Sequence, residues 1–328
     1  MVRQLVRLSR LAIPLALVSL VPSSAAVGES YPPGMIRIVT AGSVGSPPDI
    51  IVRIVANELG QSQGWQIVVE NKPGGLGTIA DGELLRQPAD GLTVRAMGMT
   101  TTVYPALKPD IGFRLDTDFA PVIKLSSQHH VLVVNPAVPA KSLPELVALL
   151  KSQPDKLNFS SGGFGTPAHL TGELFKLQTG ARAAHVPYKA GGQMIADLIN
   201  GTNHYQFITP LPVLDLIATG KLRALAVTGP QRMPALKDVP TVVEEGFPEL
   251  VIQDWVGIVV KRGTPDAIVT RLNEAINKAL AKPAVREAFA KIAAEPAGGS
   301  PAEFGALIKS EIAHWGKVVK DAGIKIRE

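Results

Sequence analysis

The feature that most restricts the fold is a repeated order of short apolar strands, Gly- or Pro-rich turns and helical segments. Met35–Thr40 (MIRIVT) predicts a strand that runs into the turn AGSVGSPPD and a helix over Asp49–Leu59. Gln66–Glu70 (QIVVE) repeats the order, with the turn NKPGGLG and a helix over Thr78–Arg86. Strands joined through helices usually run parallel with right-handed crossovers, so the pattern predicts an α/β fold built on parallel sheets.

The same order continues along the rest of the chain. Further strands are predicted at Leu92–Met97, Pro121–Leu125, Val131–Val134, Asn158–Ser160, Tyr205–Ile208, Arg223–Val227 and Val256–Val260. Helix starts are marked by residues 142–145 (SLPE), 264–266 (TPD) and 300–303 (SPAE). Thr100, Thr101 and Thr102 are expected in a loop after the third strand.

Length and composition indicate two packed domains. The chain has 328 residues, of which 46% are hydrophobic and 19% charged, a balance that disordered chains do not have. Cysteine is absent, which excludes disulfides, thiolate nucleophiles and iron–sulfur clusters. Subtle changes in the sequence pattern near residues 132 and 252 predict that the chain crosses twice between two α/β lobes. Lobe 1 would contain residues 27–132 and 252–328, and lobe 2 residues 133–251.

Residues 1–26 have the layout of a cleavable export signal. Arg3, Arg7 and Arg10 precede an apolar stretch, Leu11–Val21, and small residues end at Ala26. The stretch is shorter than the roughly 20 residues that span a bilayer, so we expect cleavage and a periplasmic protein. Without the three arginines the net charge falls from +5 to about +2, which with 5% aromatic residues argues against a nucleic-acid partner.

Two glycine-rich turns are the candidate binding elements. Residues 42–49 (GSVGSPPD) and 160–169 (SSGGFGTPAH) each join a predicted strand to a helix. Glycines let a ligand approach the backbone, and a helix start offers free N–H groups, so such turns favour a carboxylate or phosphate without Lys or Arg. Each turn alone is as consistent with ordinary chain reversal, and 71–77 (NKPGGLG) more so.

Catalytic and metal-binding motifs are missing from the sequence. It has no G-x-S-x-G, no Walker loop and no H-E-x-x-H. His129 and His130 are neighbours on a predicted strand and would point to opposite faces, which suits no single metal ion. His169 is expected to cap or pack, and Asp197 to tie loops together. We therefore predict no metal and no cofactor.

A set of short motifs, in order along the chain, carries a family resemblance. They are Asp49 with Arg53, and residues 69–77 (VENKPGGLG), 90–93 (DGLT), 118–122 (DFAPV), 160–166 (SSGGFGT), 186–189 (VPYK), 197–201 (DLING), 220–227 (GKLRALAV) and 239–246 (VPTVVEEG). On these motifs the chain from Tyr31 onward resembles the Bug family, the solute receptors of tripartite tricarboxylate transporters.

The resemblance implies a type II periplasmic-binding-protein fold, in which two α/β lobes enclose a ligand cleft. It implies a small carboxylate ligand, no catalysis, no cofactor, a monomer, and delivery to the membrane permease subunits. By motif position the ligand-binding residues would be Ser43, Val44, Gly45, Ser46, Asp49, Thr100, Thr101, Ser161, Gly162, Gly163, Gly165, Thr166, Thr209 and Pro210.

One departure from the family pattern concerns the backbone donors that would hold the ligand. Pro47 and Pro48 stand where many members have two glycines, which removes backbone donors near the first helix start. The hydroxyls of Ser43 and Ser46 are expected to compensate.

Two other functions stay open. A receptor that senses a ligand without transport would have the same sequence features. An extracytoplasmic hydrolase or lyase would need a nucleophile and a base that no motif supplies.

Overall fold

The structure is a computed structural model that describes residues 31–189 and 191–325, so the predicted signal at 1–26 lies outside it. The strands are β1 (Ile36–Thr40), β2 (Ile67–Asn71), β3 (Thr93–Gly98), β4 (Phe119–His129), β5 (Val131–Val134), β6 (Asn158–Ser161), β7 (Ala184–Pro187), β8 (Tyr205–Ile208), β9 (Arg223–Val227), β10 (Gln253–Lys261) and β11 (Glu295–Gly298). The helices are α1 (Pro47–Gln63), α2 (Thr78–Arg86), α3 (Met99–Thr102), α4 (Tyr104–Leu107), α5 (Leu143–Ser152), α6 (Pro167–Thr179), α7 (Gly191–Ile199), α8 (Leu214–Ala218), α9 (Asp266–Leu280), α10 (Pro283–Lys291) and α11 (Pro301–Asp321).

The strands form two sheets. The first has the order β11-β4-β10-β3-β1-β2, and the second β7-β6-β8-β5-β9. Helices pack on both sheets, so the prediction of two α/β lobes is confirmed. Across the described ranges, no helix combines the length and the apolar character needed to cross a membrane.

Strand directions correct the expectation of parallel sheets. β1 runs parallel to β2 and β3, and β6 parallel to β7 and β8, as the alternating pattern predicts. However, β10 is antiparallel to β3 and β4, and β5 is antiparallel to β8 and β9. The reason is that β4 carries the chain towards the second sheet and β10 brings it back, so the two must run in opposite directions.

The passage between the sheets is short. β4 ends at His129 in the first sheet, and β5 begins at Val131 in the second. Between them, the N–H of His130 donates to Thr228 Oγ1 at 2.8 Å, which attaches this residue to the second sheet. The return begins at Gln253, where β10 starts. We propose lobe 1 as 27–132 plus 252–328 and lobe 2 as 133–251, with the first two residues of β5 already paired in the second sheet.

Helix ends follow the predicted caps with two corrections. Ser300 and Glu303 exchange both bonds of a capping box, and Ser142 Oγ accepts from the N–H of Glu145 at 3.3 Å. Thr264 does not cap α9, because its hydroxyl donates to the Lys261 carbonyl at 2.8 Å and the helix begins two residues later. The threonines expected in a loop instead form α3, directly after β3.

The apolar core extends through both lobes. One cluster joins Met97, Trp255 and Phe304 of the first sheet and its helices to Phe159 and Phe207 of the second sheet. A second cluster fills the space between the first sheet and helices α1 and α9. The lobes are therefore linked by packed side chains behind the cleft, as well as by the chain crossings.

Candidate ligand-binding cleft

A cleft of about 580 Å³ lies where the two lobes meet. Its walls are the β1–α1 loop, β3 with α3, the β6–α6 loop and the end of β8, all at carboxyl ends of strands. This volume is within the range of small-molecule sites, and the position is the one at which α/β sheets bind ligands. The strand-to-helix turns chosen from the sequence therefore contribute to one shared cavity.

The structure brings seven of the fourteen sequence-predicted residues to the cleft wall. They are Ser43, Ser46, Thr100, Thr101, Gly162, Thr166 and Thr209. The other seven do not line it: Val44, Gly45, Asp49, Ser161, Gly163, Gly165 and Pro210. Each of the second group lies next to a lining residue, so sequence position identified the loops but not the side chains that face the cleft.

Asp49 supports the first loop from behind. Its side chain is buried, and its carboxylate accepts from the Gly45 N–H at 2.9 Å. Asn71 and Arg53 donate to its other oxygen at 2.7 and 3.0 Å. Burial alone would raise the pKa of this carboxyl, but the hydrogen bonds outweigh it and hold the pKa below its usual range. With both oxygens bonded, Asp49 shapes the loop and keeps Gly45 in its left-handed conformation.

The first loop contains a buried hydroxyl without a partner at the start of α1. Ser46 is the N-cap, yet its side chain makes no capping bond, and Ser46 Oγ has no partner among the described residues. Pro47 and Pro48 occupy the first two helical positions and have no N–H to offer. The positive end of the helix dipole still faces this point. Ser46 Oγ is therefore a buried hydroxyl beside the cleft whose hydrogen-bonding capacity is unsatisfied.

The second loop is largely saturated by its own bonds. Ser161 Oγ accepts from the Gly163 N–H at 3.1 Å, and Thr166 Oγ1 donates to the Gly163 carbonyl at 2.7 Å. The Gly165 N–H donates to His169 Nδ1 at 3.1 Å, so this histidine of α6 holds the backbone of the loop that precedes the helix. This loop therefore contributes shape and backbone to the cleft more than free side-chain donors.

Gly165 marks a close approach of the lobes beside the cleft. Its φ is +74°, a conformation that favours glycine. A Cβ added there would lie 3.0 Å from a methyl carbon of Leu76 and 3.2 Å from one of Leu107. Both leucines belong to the first lobe, so a side chain at position 165 would require their methyl groups to shift by a few tenths of an ångström. Gly165 is thus a point of contact between the lobes, although it does not line the cleft.

A serine–histidine pair lies behind the second loop. Ser161 Oγ and His185 Nε2 are 2.7 Å apart, a distance typical of a nucleophile and its base. Ser161 is fully buried and outside the cleft wall, and His185 Nδ1 has no partner among the described residues. Burial lowers the pKa of the His185 imidazole to about 4. The pair has neither access to a substrate nor the carboxylate that orients a catalytic histidine, so we assign it to loop structure.

Sequence analysis missed polar residues that line the cleft from the strands. They are Arg95 on β3, His130 between the sheets, Gln206 on β8, and Asp254 and Trp255 on β10. Arg95 and Gln206 interrupt otherwise apolar strands, and that interruption is the signal that could have identified them. Asp254 and Trp255 lie at the start of a strand, where polar residues are common and carry no such signal.

His130 is held as a neutral imidazole. Burial lowers its pKa to about 4, and the neighbouring His129 adds to the effect. Thr171 Oγ1 already donates to the Pro167 carbonyl at 2.8 Å, so at 3.2 Å it accepts from His130 Nδ1–H. The proton on Nδ1 leaves Nε2 as an acceptor. His130 thus adds an uncharged acceptor to the cleft.

The described residues hold no group of three His, Asp or Glu side chains placed to bind a metal ion. The arrangement is that of a binding cleft between two lobes, with strand-to-helix loops on both sides. This defines the class as a two-lobed solute-binding protein.

Comparison with known proteins gives the family. Residues 51–324 match the TctC model, described as the tripartite tricarboxylate transporter family receptor, and the chain belongs to this family. It is 34% identical over 301 residues to Protein BugT of Bordetella pertussis, covering 91% of this chain and 92% of that protein.

Solved structures agree with the fold. Rpa4515 of R. palustris, solved with adipate, has a TM-score of 0.82 and 32% identity, covering 90% of this chain and all of that one. MatC (Rpa3494) from Rhodopseudomonas palustris, solved with bound malate, has a TM-score of 0.78 and 28% identity, covering 88% of this chain and all of that one.

Proposed function

We propose that this chain is a periplasmic receptor that captures a small carboxylate between its lobes, releases it unaltered and delivers it to the permease subunits of a tripartite transporter. The observation that carries the proposal is the single cleft that both lobes line, with the free hydroxyl of Ser46 at the start of α1. The relatives solved with adipate and malate support the ligand class.

Binding would couple to closure of the lobes. Ser43 and Ser46 lie on one wall, and Gly162 and Thr166 on the other, so a ligand that touches both walls stabilises the closed arrangement. A permease can then distinguish loaded from empty receptor by shape. The role needs no chemical step, and the serine–histidine pair described above is not accessible for one.

The test is a thermal-unfolding screen of the purified protein with adipate, malate, succinate, citrate, benzoate and acetate. An acid present at 100 times its Kd should stabilise the protein by about 2.7 kcal/mol. Isothermal titration then measures the affinity, and mass spectrometry of the recovered ligand should show no turnover. A screen in which no acid shifts the unfolding temperature would refute carboxylate capture, and turnover would refute the receptor role.

A matched pair of variants locates the site. Ser46→Ala removes the free hydroxyl and should weaken acid binding by about tenfold, as loss of a hydrogen bond to a charged group does. Ser310→Ala removes an exposed hydroxyl on α11 that donates to the Leu307 carbonyl, and should leave binding unchanged. Equal affinity in Ser46→Ala and the unmodified protein would remove the first loop from the site.

A further inference from the structure

Arg95 is a buried cation in the cleft wall. It lies on β3 with 1% of its surface exposed, and among the described residues that line the cleft it is the one Lys or Arg. Arginine is rarely buried unless it is paired, because desolvation of an unpaired charge is costly. Its neighbours on β3 are apolar or small, so packing alone does not explain an arginine here.

Asp81, the partner of Arg95 within the protein, accepts from only some of the hydrogen-bond donors of the guanidinium. Nε donates to Asp81 Oδ1 at 2.8 Å, and Asp81 on α2 is fully buried. The second carboxylate oxygen, Oδ2, and Arg95 Nη1 have no partner among the described residues. A guanidinium has five donors and typically binds a carboxylate with two parallel bonds. A pair made only for stability would use that geometry, and this one leaves donors of Arg95 unused beside the cleft.

Two other unpartnered donors lie in the same region. Tyr104 Oη and Trp255 Nε1 are buried without partners among the described residues, and Trp255 lines the cleft. A Cβ placed at Gly77, another lining residue, would lie 2.6 Å from Tyr104 Oη and 2.9 Å from Arg95 Nη2. Gly77 therefore lets both groups pack directly against the loop backbone, where a side chain would not fit. Buried donors in native proteins are normally bonded, so this set points to an acceptor that binds there.

We propose that Arg95, with the Tyr104 hydroxyl and the Trp255 indole N–H, forms a second anion subsite that binds one carboxylate of a dicarboxylate ligand. The inference rests on the proposed function and names the substrate class within it. The other carboxylate would bind at Ser46 and the start of α1. Asp81 positions the guanidinium through Nε and leaves its remaining donors to the ligand.

The subsite predicts a preference for a second negative charge. A dicarboxylate and its monoamide have the same length and nearly the same shape, but the amide has no second carboxylate for Arg95. The loss of a hydrogen bond to a charged group weakens binding by about 10- to 100-fold. We expect the protein to bind adipate, glutarate or succinate that much more tightly than adipamate, glutaramate or succinamate.

The experiment is isothermal titration of these pairs at constant pH and salt. The double variant Arg95→Gln with Asp81→Asn removes both buried charges together and keeps hydrogen-bonding side chains. It should lose the preference for the diacid and still bind the monoamide. Arg232→Gln is the matched control, because Arg232 pairs with Glu244 on the surface of lobe 2 and should leave the preference intact. A double variant that keeps the full preference would overturn the subsite.

A second variant keeps the test decisive if the double variant does not fold. Tyr104→Phe removes one unpartnered hydroxyl and should reduce the preference for the diacid several-fold, with the monoamide affinity unchanged. An unchanged preference in Tyr104→Phe would overturn the proposal. In the unmodified protein, equal affinity for diacid and monoamide refutes only this subsite, whereas absence of binding by every acid refutes the proposed function itself.

Discussion

Asp254 should make the stability of the protein depend on pH near neutrality. It lies near the start of β10 beside the cleft, and its carboxylate accepts from the Trp255 N–H at 2.8 Å. Burial raises the pKa of the Asp254 carboxyl from its ordinary 3.8 to about 7, and the charge of Glu311 adds to the rise. The folded protein therefore holds a proton here that the unfolded chain releases.

The size of the effect follows from proton linkage. Because the folded pKa is the higher one, stability is lost as pH rises from about 4 to about 7. With these two pKa values, ionisation of Asp254 lowers the free energy of unfolding by roughly 2 kcal/mol at pH 5 and roughly 4 kcal/mol at pH 8. Asp254→Asn keeps an oxygen for the Trp255 N–H and removes the titration. Its advantage in stability over the unmodified protein should grow by roughly 2 to 3 kcal/mol between pH 5 and pH 8.

Urea unfolding at pH 5, 6, 7 and 8, at constant ionic strength, measures this directly. Asp215→Asn is the control, since Asp215 is an exposed carboxylate on α8 and its replacement should give a nearly constant difference from the unmodified protein. A constant difference between Asp254→Asn and the unmodified protein over this range would refute the reasoning. Acid binding supplies a second readout, because ionised Asp254 in the cleft wall should repel a carboxylate above pH 7.

Four further substitutions test packing, backbone donors and the contact between the lobes. Gly172→Ala would place a Cβ 2.2 Å from the Phe159 ring and should cost about 1–3 kcal/mol by urea unfolding, while Gly316→Ala, in open space on α11, should stabilise by about 0.5–1 kcal/mol. Pro48→Ala restores an N–H at the start of α1 and should tighten acid binding about tenfold by titration; unchanged affinity would contradict a role for this N–H in holding the ligand. Gly165→Ala, strained by its positive φ and in tight contact with Leu76 and Leu107 of the first lobe, should weaken acid binding measured by titration; unchanged affinity would contradict a role for this contact in closure.

The sequence predicted most elements because apolar periodicity is a local signal. Tyr205–Ile208 and Arg223–Val227 are strands with the predicted limits, and Thr78–Arg86 is a helix with the predicted limits. The edge strands β7 and β11 were missed, because half or more of each is exposed or half-buried and their residues do not alternate. Edge strands form through their neighbours, and those neighbours are distant in sequence.

Which side chains face the cleft was harder to predict from the sequence, for a related physical reason. A glycine-rich turn shows where a loop lies, but the orientation of each side chain depends on partners from other segments. Asp49 is turned away from the cleft by bonds that include Asn71, which is 22 residues later. Arg95 depends on Asp81, which lies on a different element. From the sequence, the glycine-rich turns were expected to hold an anion without Lys or Arg, and Arg95, which lines the cleft from β3, was not considered.

The two lobes contribute unequally to the cleft, and this suggests an order of events. Among the described residues that line the cleft, buried donors without a partner lie on the first lobe, at Ser46, Arg95 and Trp255, whereas the Thr166 hydroxyl in the second loop donates to the Gly163 carbonyl. A charged ligand gains most from the free donors, since bonds already satisfied within a loop must be broken before they can be used. We therefore expect the anion to bind lobe 1 first and lobe 2 to close over it.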